Sequence, residues 1–221
     1  MAISVTILSR RHCLDIVRLH RSGIKTGFLS TTGDIFLRTL YSAINRSPCS
    51  RVYMALDDNS AKPVGFIAGA LSTSVMYRHI IVWYGLLFFI LLFPNIFRIS
   101  VLIKILETLF YTEKKQRCRG ADQKIRADRG KSNTSHGRAE LLSIVVDENF
   151  RGQKIGKKLV DSLERYFTEN GVHDYKVVTY SKDANANAFY QACGFIKRAE
   201  FIHHGNVMFE YSKTLEAIAQ P

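Results

Sequence analysis

The stretch "VVDENFRGQKIG" at residues 145–156, running straight into "KKLVDSLERYFTENG", constrains this chain more than any other. A β-branched run and an acidic turn lead through two glycines and two basic residues into a segment whose Ile155, Leu159, Val160, Leu163, Tyr166 and Phe167 share one helical face. The spacing predicts a helix over residues 154–169, closing at Asn170 and Gly171. Its first turn coincides with the Gly-Gln-Lys-Ile-Gly segment. The unpaired N–H groups of a helix start, the positive end of its dipole and the absence of side chain at glycine together form a seat for a phosphate group. Arg151, Lys154, Lys157 and Lys158 add charge around that seat. The same spacing also suits an ordinary strand-to-helix turn in which glycine supplies only tightness.

The flanking segments alternate strand and helix patterns. "ISVTIL" reads as a first strand, and "RRHCLDIVRLHRSGI" as an amphipathic helix with Leu14, Ile16, Val17 and Leu19 inward and its end at Gly23. "STTGDIFLRTLYSAIN" offers Ser and Thr as caps, with Phe36, Leu37, Leu40, Tyr41 and Ile44 on one face. "SRVYMAL" and "KPVGFIAGALS" read as strands around the turn signal "DDNSAKP". After the helix at 154–169, "YKVVTYS", "FIKRAEFIHH" and "NVMFEYSKTL" read as three more strands, with "ANANAFYQACGF" a short helix after the first. The order of elements is mixed α and β, with most strands meeting antiparallel.

Residues 75–137 interrupt this rhythm and read as an insertion in a single domain of residues 1–221. "IIVWYGLLFFILLF" is nearly all apolar, Pro94 breaks it, and "NIFRISVLIKILETLFY" is helical. The basic segment that follows carries nine Lys or Arg against three acids up to Arg138, the composition of a mobile loop. The uncharged run touches the lower length limit of a transmembrane helix, yet the strands on either side must share one sheet, so the chain has to return to its starting side. A hairpin of two spans would place Arg98, Lys104 and Glu107 in hydrocarbon. The expectation is therefore an apolar helical hairpin that rests on the fold, a second subunit or a membrane surface.

The formal net charge of +12 points to an anionic partner. Nucleic acid is not expected, because no interleaved aromatic and basic face accompanies the charge. The four cysteines are scattered with no C-x-x-C pair, so neither a metal site nor a disulfide framework is expected, and free thiols in a reducing cytoplasm are. The apolar run at the N-terminus precedes its basic residues, the reverse of a signal peptide.

Residues 151–156 and the later "DANANAFYQACGF" resemble, in this order, the two motifs of the GNAT superfamily of acyl-CoA-dependent N-acetyltransferases. The first is Arg or Gln, two residues, Gly, one residue, Gly or Ala; here Lys154 stands where the family has glycine. The second is Asn-x-x-Ala-x-x-Phe-Tyr-x-x-x-Gly-Phe; Asp183 replaces the Asn, while Ala186, Phe189, Tyr190, Gly194 and Phe195 match. The resemblance covers residues 140–211 by motif and 1–73 by element order. It implies a central, mostly antiparallel twisted sheet with splayed fourth and fifth strands, flanked by helices. The pantetheine arm of acetyl-CoA would lie in the splay, paired with backbone groups of Ile144 and Val146 as with another strand. The pyrophosphate would rest on Arg151, Gly152, Gln153, Lys154, Ile155, Gly156 and Lys157, with Asn185 also on the cofactor side.

Transfer to an amine needs a neutral nitrogen, donors for the oxyanion and a proton for the departing thiolate. The resemblance makes Tyr190 the thiolate acid; the alternative is a core aromatic beside Phe189. It makes Glu140 the acid that acts on the incoming amine; the alternative is a capping or salt-bridged strand-end acid near Arg138. His203 and His204 are adjacent on a strand, so at most one can face the site. Asp147 and Glu148 belong to the turn. The expected function is an N-acetyltransferase that moves acetyl from acetyl-CoA, without metal, to a primary amine of a small molecule, amino sugar or protein. It is expected in the cytoplasm, with residues 77–111 as its contact to a membrane surface or a second subunit. The alternative is a non-catalytic acyl-CoA-binding module that docks through its insertion.

Overall fold

The turn at residues 57–61 closes an antiparallel hairpin between β2 (Ser50–Asp57) and β3 (Lys62–Ala70), whose pairing runs from Asp57↔Lys62 to Ser50↔Ala70. In this computed structural model, which describes residues 2–25, 28–92, 138–203 and 205–215, the hairpin is the middle of one side of a seven-stranded sheet. Strand β1 (Ile3–Ile7) forms the edge beside β2, and β4 (Glu140–Val146) lies antiparallel on the far side of β3. The sheet continues through β5 (Asp174–Tyr180), then β7 (Asn206–Thr214) and β6 (Ile196–His203), in the order β1-β2-β3-β4-β5-β7-β6. All neighbours are antiparallel except β4 and β5, which run parallel. The expected mixed fold is the one observed.

Both faces of the sheet are covered. Helices α1 (Cys13–Gly23), α2 (Asp34–Arg46) and α3 (Thr73–Leu92) bury Ile16, Leu37, Tyr41, Met76 and Ile80 against one face. On the other, α4 (Ile155–Glu169) and α5 (Ala184–Ala192) bury the predicted stripe of Ile155, Leu159, Val160, Leu163, Tyr166 and Phe167, joined by Tyr190. Central strands such as β3 are sandwiched, so residues 64–70 are buried throughout rather than alternately.

Two local expectations are corrected. Leu14 is 48% exposed, because the inward stripe of α1 runs through Cys13, Ile16, Val17 and His20 and leaves Leu14 on the outer side with Arg18. Helix α2 has no Ser or Thr cap; Gly33 occupies the N-cap position. The loop ahead of it is fastened instead by Arg21, whose guanidinium donates to the Ser30 carbonyl at 2.7 Å, to the Thr32 carbonyl, and to Asp34. The range 75–137 begins inside α3, whose first turns are core. The second arm of the expected hairpin and the basic segment after it, residues 93–137, lie outside the described residues.

Candidate functional site

Strands β4 and β5 pair only at Glu140↔Lys176 and Leu141↔Val177 and then part. The cause is visible on the other edge of β4, where the register against β3 slips between Ala68↔Ser143 and Gly69↔Leu141. Leu142 is thus an extra residue, a bulge that bends β4 away at the point where it leaves β5. Beyond the bulge, the Asp147 N–H donates to the Val64 carbonyl at 2.8 Å. In an antiparallel ladder such bonds recur at every second residue, so Val145 and Ser143 also bond toward β3. The N–H and C=O groups of Ile144 and Val146 therefore face the gap. These are the two residues expected to offer backbone groups there.

The open end of the gap meets the start of α4. The chain leaves β4 through a short turn at residues 148–150, where the Asp147 carboxylate accepts from the Asn149 N–H at 2.9 Å, consistent with Asp147 and Glu148 as turn residues. Arg151, Gly152, Gln153 and Lys154 follow, all exposed, with the Arg151 guanidinium 3.8 Å from Glu148. Gly152 has φ +80°, and Lys154, at the N-cap, has φ +60° and ψ +16°, the left-handed conformation. This is the position at which the motif carries glycine, and Lys154 keeps the glycine-like backbone at a steric cost of about 1–2 kcal/mol. The N–H groups of the first turn of α4 have no intrahelical carbonyl and point out at the helix start. Ile155 turns inward into the core. At Gly156 a Cβ would stand 2.8 Å from the Phe189 ring, so its small size also lets α4 and α5 meet.

Helix α5 is anchored by the second motif. Asp183 is its N-cap and accepts from the Ala186 N–H at 3.0 Å, the bond an Asn would make in its place. Asn187 escaped the sequence reading; its amide donates to the carbonyls of Tyr180, Ser181 and Asp183, and its oxygen accepts from the Tyr211 hydroxyl at 2.9 Å. It thereby ties the end of β5 and the start of α5 to β7. Asn185 is exposed on the first turn of α5. Tyr190 is buried at 6% exposure, with edge contacts to Phe189 and Phe195 and a tilted contact to Tyr211. Burial raises its hydroxyl pKa well above the ordinary phenol value, reinforced by Asp183 and Cys193, so it stays protonated at neutral pH.

Glu140 sits at the other end of β4, at the closed vertex of the gap. Lys176 on β5 is 3.4 Å from its carboxylate. Arg138, its anticipated neighbour, instead pairs with Asp174. Burial raises the Glu140 pKa, the Lys176 charge opposes that, and Glu210 on β7 adds to it. Tyr77 of α3 stands near enough to feel the Glu140 charge.

A buried polar chain ends at the same part of β4. His20 and Tyr41 are 0% and 1% exposed; His20 Nδ1 lies 2.7 Å from the Tyr41 hydroxyl, which lies 3.2 Å from Ser143 Oγ. Burial lowers the imidazole pKa to about 4, so His20 is neutral. The other ring nitrogen has no hydrogen-bond partner. His203 ends β6 opposite Asn206, and His204 lies outside the described residues. Among the described residues no group of three His, Cys, Asp or Glu side chains is placed to hold a metal ion.

Comparison with known proteins agrees with this geometry. Residues 113–195 match the model of the acetyltransferase (GNAT) family. Comparison with curated proteins finds no match. Among solved structures, the chain is similar to the ribosomal-protein-S18-alanine N-acetyltransferase from Escherichia coli, with TM-score 0.56 and 11% identity over 99% of this chain and 97% of that one. It is similar to Arabidopsis thaliana NAA60 in complex with acetyl-CoA, with TM-score 0.58 and 11% identity over 97% and 99%. A third is the PaiA N-acetyltransferase from Thermoplasma acidophilum in complex with coenzyme A, with TM-score 0.53 and 14% identity over 95% and 98%. At these identities the structures speak for the fold alone. The segment 113–195 thus resembles the GNAT acetyltransferase family, and the sheet order, with the splay that opens beside a basic helix start, is the fold of the acetyltransferases of that family.

Proposed function

We propose that the protein transfers an acetyl group from acetyl-CoA to a primary amine, binding the donor in the gap between β4 and β5. The observation that carries this reading is the free edge of β4, where Ile144 and Val146 turn their backbone groups into a gap that ends at the start of α4. An extended amide-bearing arm completes such an edge as another strand, and the open N–H groups with Arg151, Lys154 and Lys157 suit its phosphates. The comparison proteins with acetyl-CoA and coenzyme A bound share this fold, which supports the same donor here.

The amine nitrogen attacks the thioester carbonyl, a C–N bond forms and the C–S bond breaks. Glu140, its pKa raised by burial, takes the proton lost by the amine, directly or through water. Tyr190, held protonated, donates to the leaving thiolate. The donor thus leaves as free thiol and the acceptor as amide. The departures at Lys154 and Asp183 leave room for a non-catalytic binding module, yet both residues keep the backbone and the cap that the motif residues provide.

The test is release of free thiol from acetyl-CoA against a panel of amines comprising amino sugars, polyamines and peptides with free N-termini. Release that depends on one acceptor class supports the reading. Tight acetyl-CoA binding with no release on any amine overturns catalysis and leaves the binding module.

A further inference from the structure

We infer that the outward side of α3 beds into the hydrocarbon of one leaflet of an anionic lipid bilayer. Met76, Ile80, Tyr84 and Phe88 recur every fourth residue and pack on the fold; Phe88 meets Phe36 of α2 with ring centroids 5.0 Å apart. The remaining circumference is also apolar. Ile81, Val82, Trp83, Leu86, Leu87 and Ile90 are 53%, 76%, 73%, 76%, 43% and 57% exposed. At about 100° per residue these six side chains sweep an arc of about 240°. From Ile80 to Leu92 there is no charged residue. Their exposed surface is on the order of 700 Å², more than the largest apolar patch of an ordinary monomer, roughly 300–600 Å².

The width of the arc selects the occupant. A second copy of the chain or a partner helix covers a stripe, and would leave most of this surface in water. Lipid chains close around a helix from every outward direction. Among the described residues α3 is the one helix long and apolar enough to cross a membrane, and little of it is buried by the protein. Charge complements the lipid surface. Arg78 is exposed two residues before the apolar stretch, Arg46 of α2 reaches the Tyr84 hydroxyl at 3.4 Å, and the chain carries a net charge of +12. Such residues hold an apolar helix at an anionic headgroup layer.

Because α3 also carries Tyr77 beside Glu140, the bilayer would lie on the same helix that borders the closed end of the gap. The site would then face amines held at the membrane.

Trp83 is the single tryptophan of the chain, so its fluorescence reports this face alone. The full chain is titrated with vesicles of phosphatidylglycerol and phosphatidylethanolamine, with and without bromine on the acyl chains. The expected result is red emission in buffer, a blue shift on adding vesicles, quenching by the brominated lipid, and a weaker response to purely zwitterionic vesicles. The triple variant Val82→Asp, Leu86→Asp, Ile90→Asp, altered only at outward positions, should lose the response and keep acetyl-CoA affinity. Emission unchanged by vesicles overturns the inference. So does emission already blue in buffer: dependence on protein concentration then assigns the face to a second copy, and independence assigns it to the chain itself. Acetyl-CoA binding and thiol release are read separately, so failure here leaves the proposed reaction standing.

Discussion

Lys154 shows how much backbone shape matters at a single position. It adopts φ +60° where the motif has glycine, so the strain is local and relievable. Lys154→Gly should leave stability within about 1 kcal/mol of the parent, relief of strain being offset by a freer unfolded chain. Lys154→Val should lower stability by about 1–2 kcal/mol or more, since a β-branched residue resists that conformation; urea denaturation of both variants checks it. For Tyr190→Phe the account expects turnover to fall by about a hundredfold with acetyl-CoA affinity nearly unchanged, the pattern of a lost general acid, read from steady-state rates alongside a binding titration. His20 gives a pH signature. Its folded pKa, about 4, lies below the ordinary value of 6.5, so as pH falls the unfolded chain takes up the proton first. The stability it contributes is whole above about pH 6.5, drains away between there and about pH 4, and amounts to at most about 3 kcal/mol. In His20→Gln the difference in urea midpoint between about pH 7 and about pH 4.5 should be smaller than in the parent; an equal difference contradicts the assignment.

At the scale of elements, β4 carries the proposed donor site, and backbone direction separates its residues. Ile144→Pro removes an N–H that faces the gap and leaves the β3 ladder whole, as proline on an edge strand does. Val145→Pro removes an N–H that bonds to β3 and should cost about 3 kcal/mol or more. A thermal or urea comparison in which both lose the same stability would contradict the register. The order of strands and helices, the cradle and the second motif were legible in the sequence because each is written in local spacing: six apolar residues on the α4 face, two glycines at its start, a β-branched run before it. The bulge at Leu142, the Lys176 partner of Glu140 and the buried His20–Tyr41–Ser143 chain were not, because each joins residues distant in sequence. Leu14 misled for a related reason: apolar type says nothing of which side of α1 meets the sheet. Gly156 was readable as a glycine needed for closeness, but the neighbour it meets is Phe189, so a bulky residue there tests helix packing as much as phosphate binding.

In the whole molecule, the sheet is held open on one side and both ends of the opening are equipped differently. The far end carries Arg151, Lys154 and Lys157 around a helix start, and the vertex carries Glu140 with Lys176. Helices α4 and α5 cover one face of the sheet, and α1, α2 and α3 cover the other. With the excess of positive charge over the chain, donor binding at the exposed end is expected to weaken as salt rises. Titration calorimetry of acetyl-CoA into the parent and into Ile144→Pro tests the central claim most directly. The account predicts one donor per chain in the parent and an affinity at least about tenfold weaker in a folded Ile144→Pro, the loss of about one buried hydrogen bond. Undiminished affinity in that variant, or no binding to the parent, would contradict the placement of acetyl-CoA on the free edge of β4.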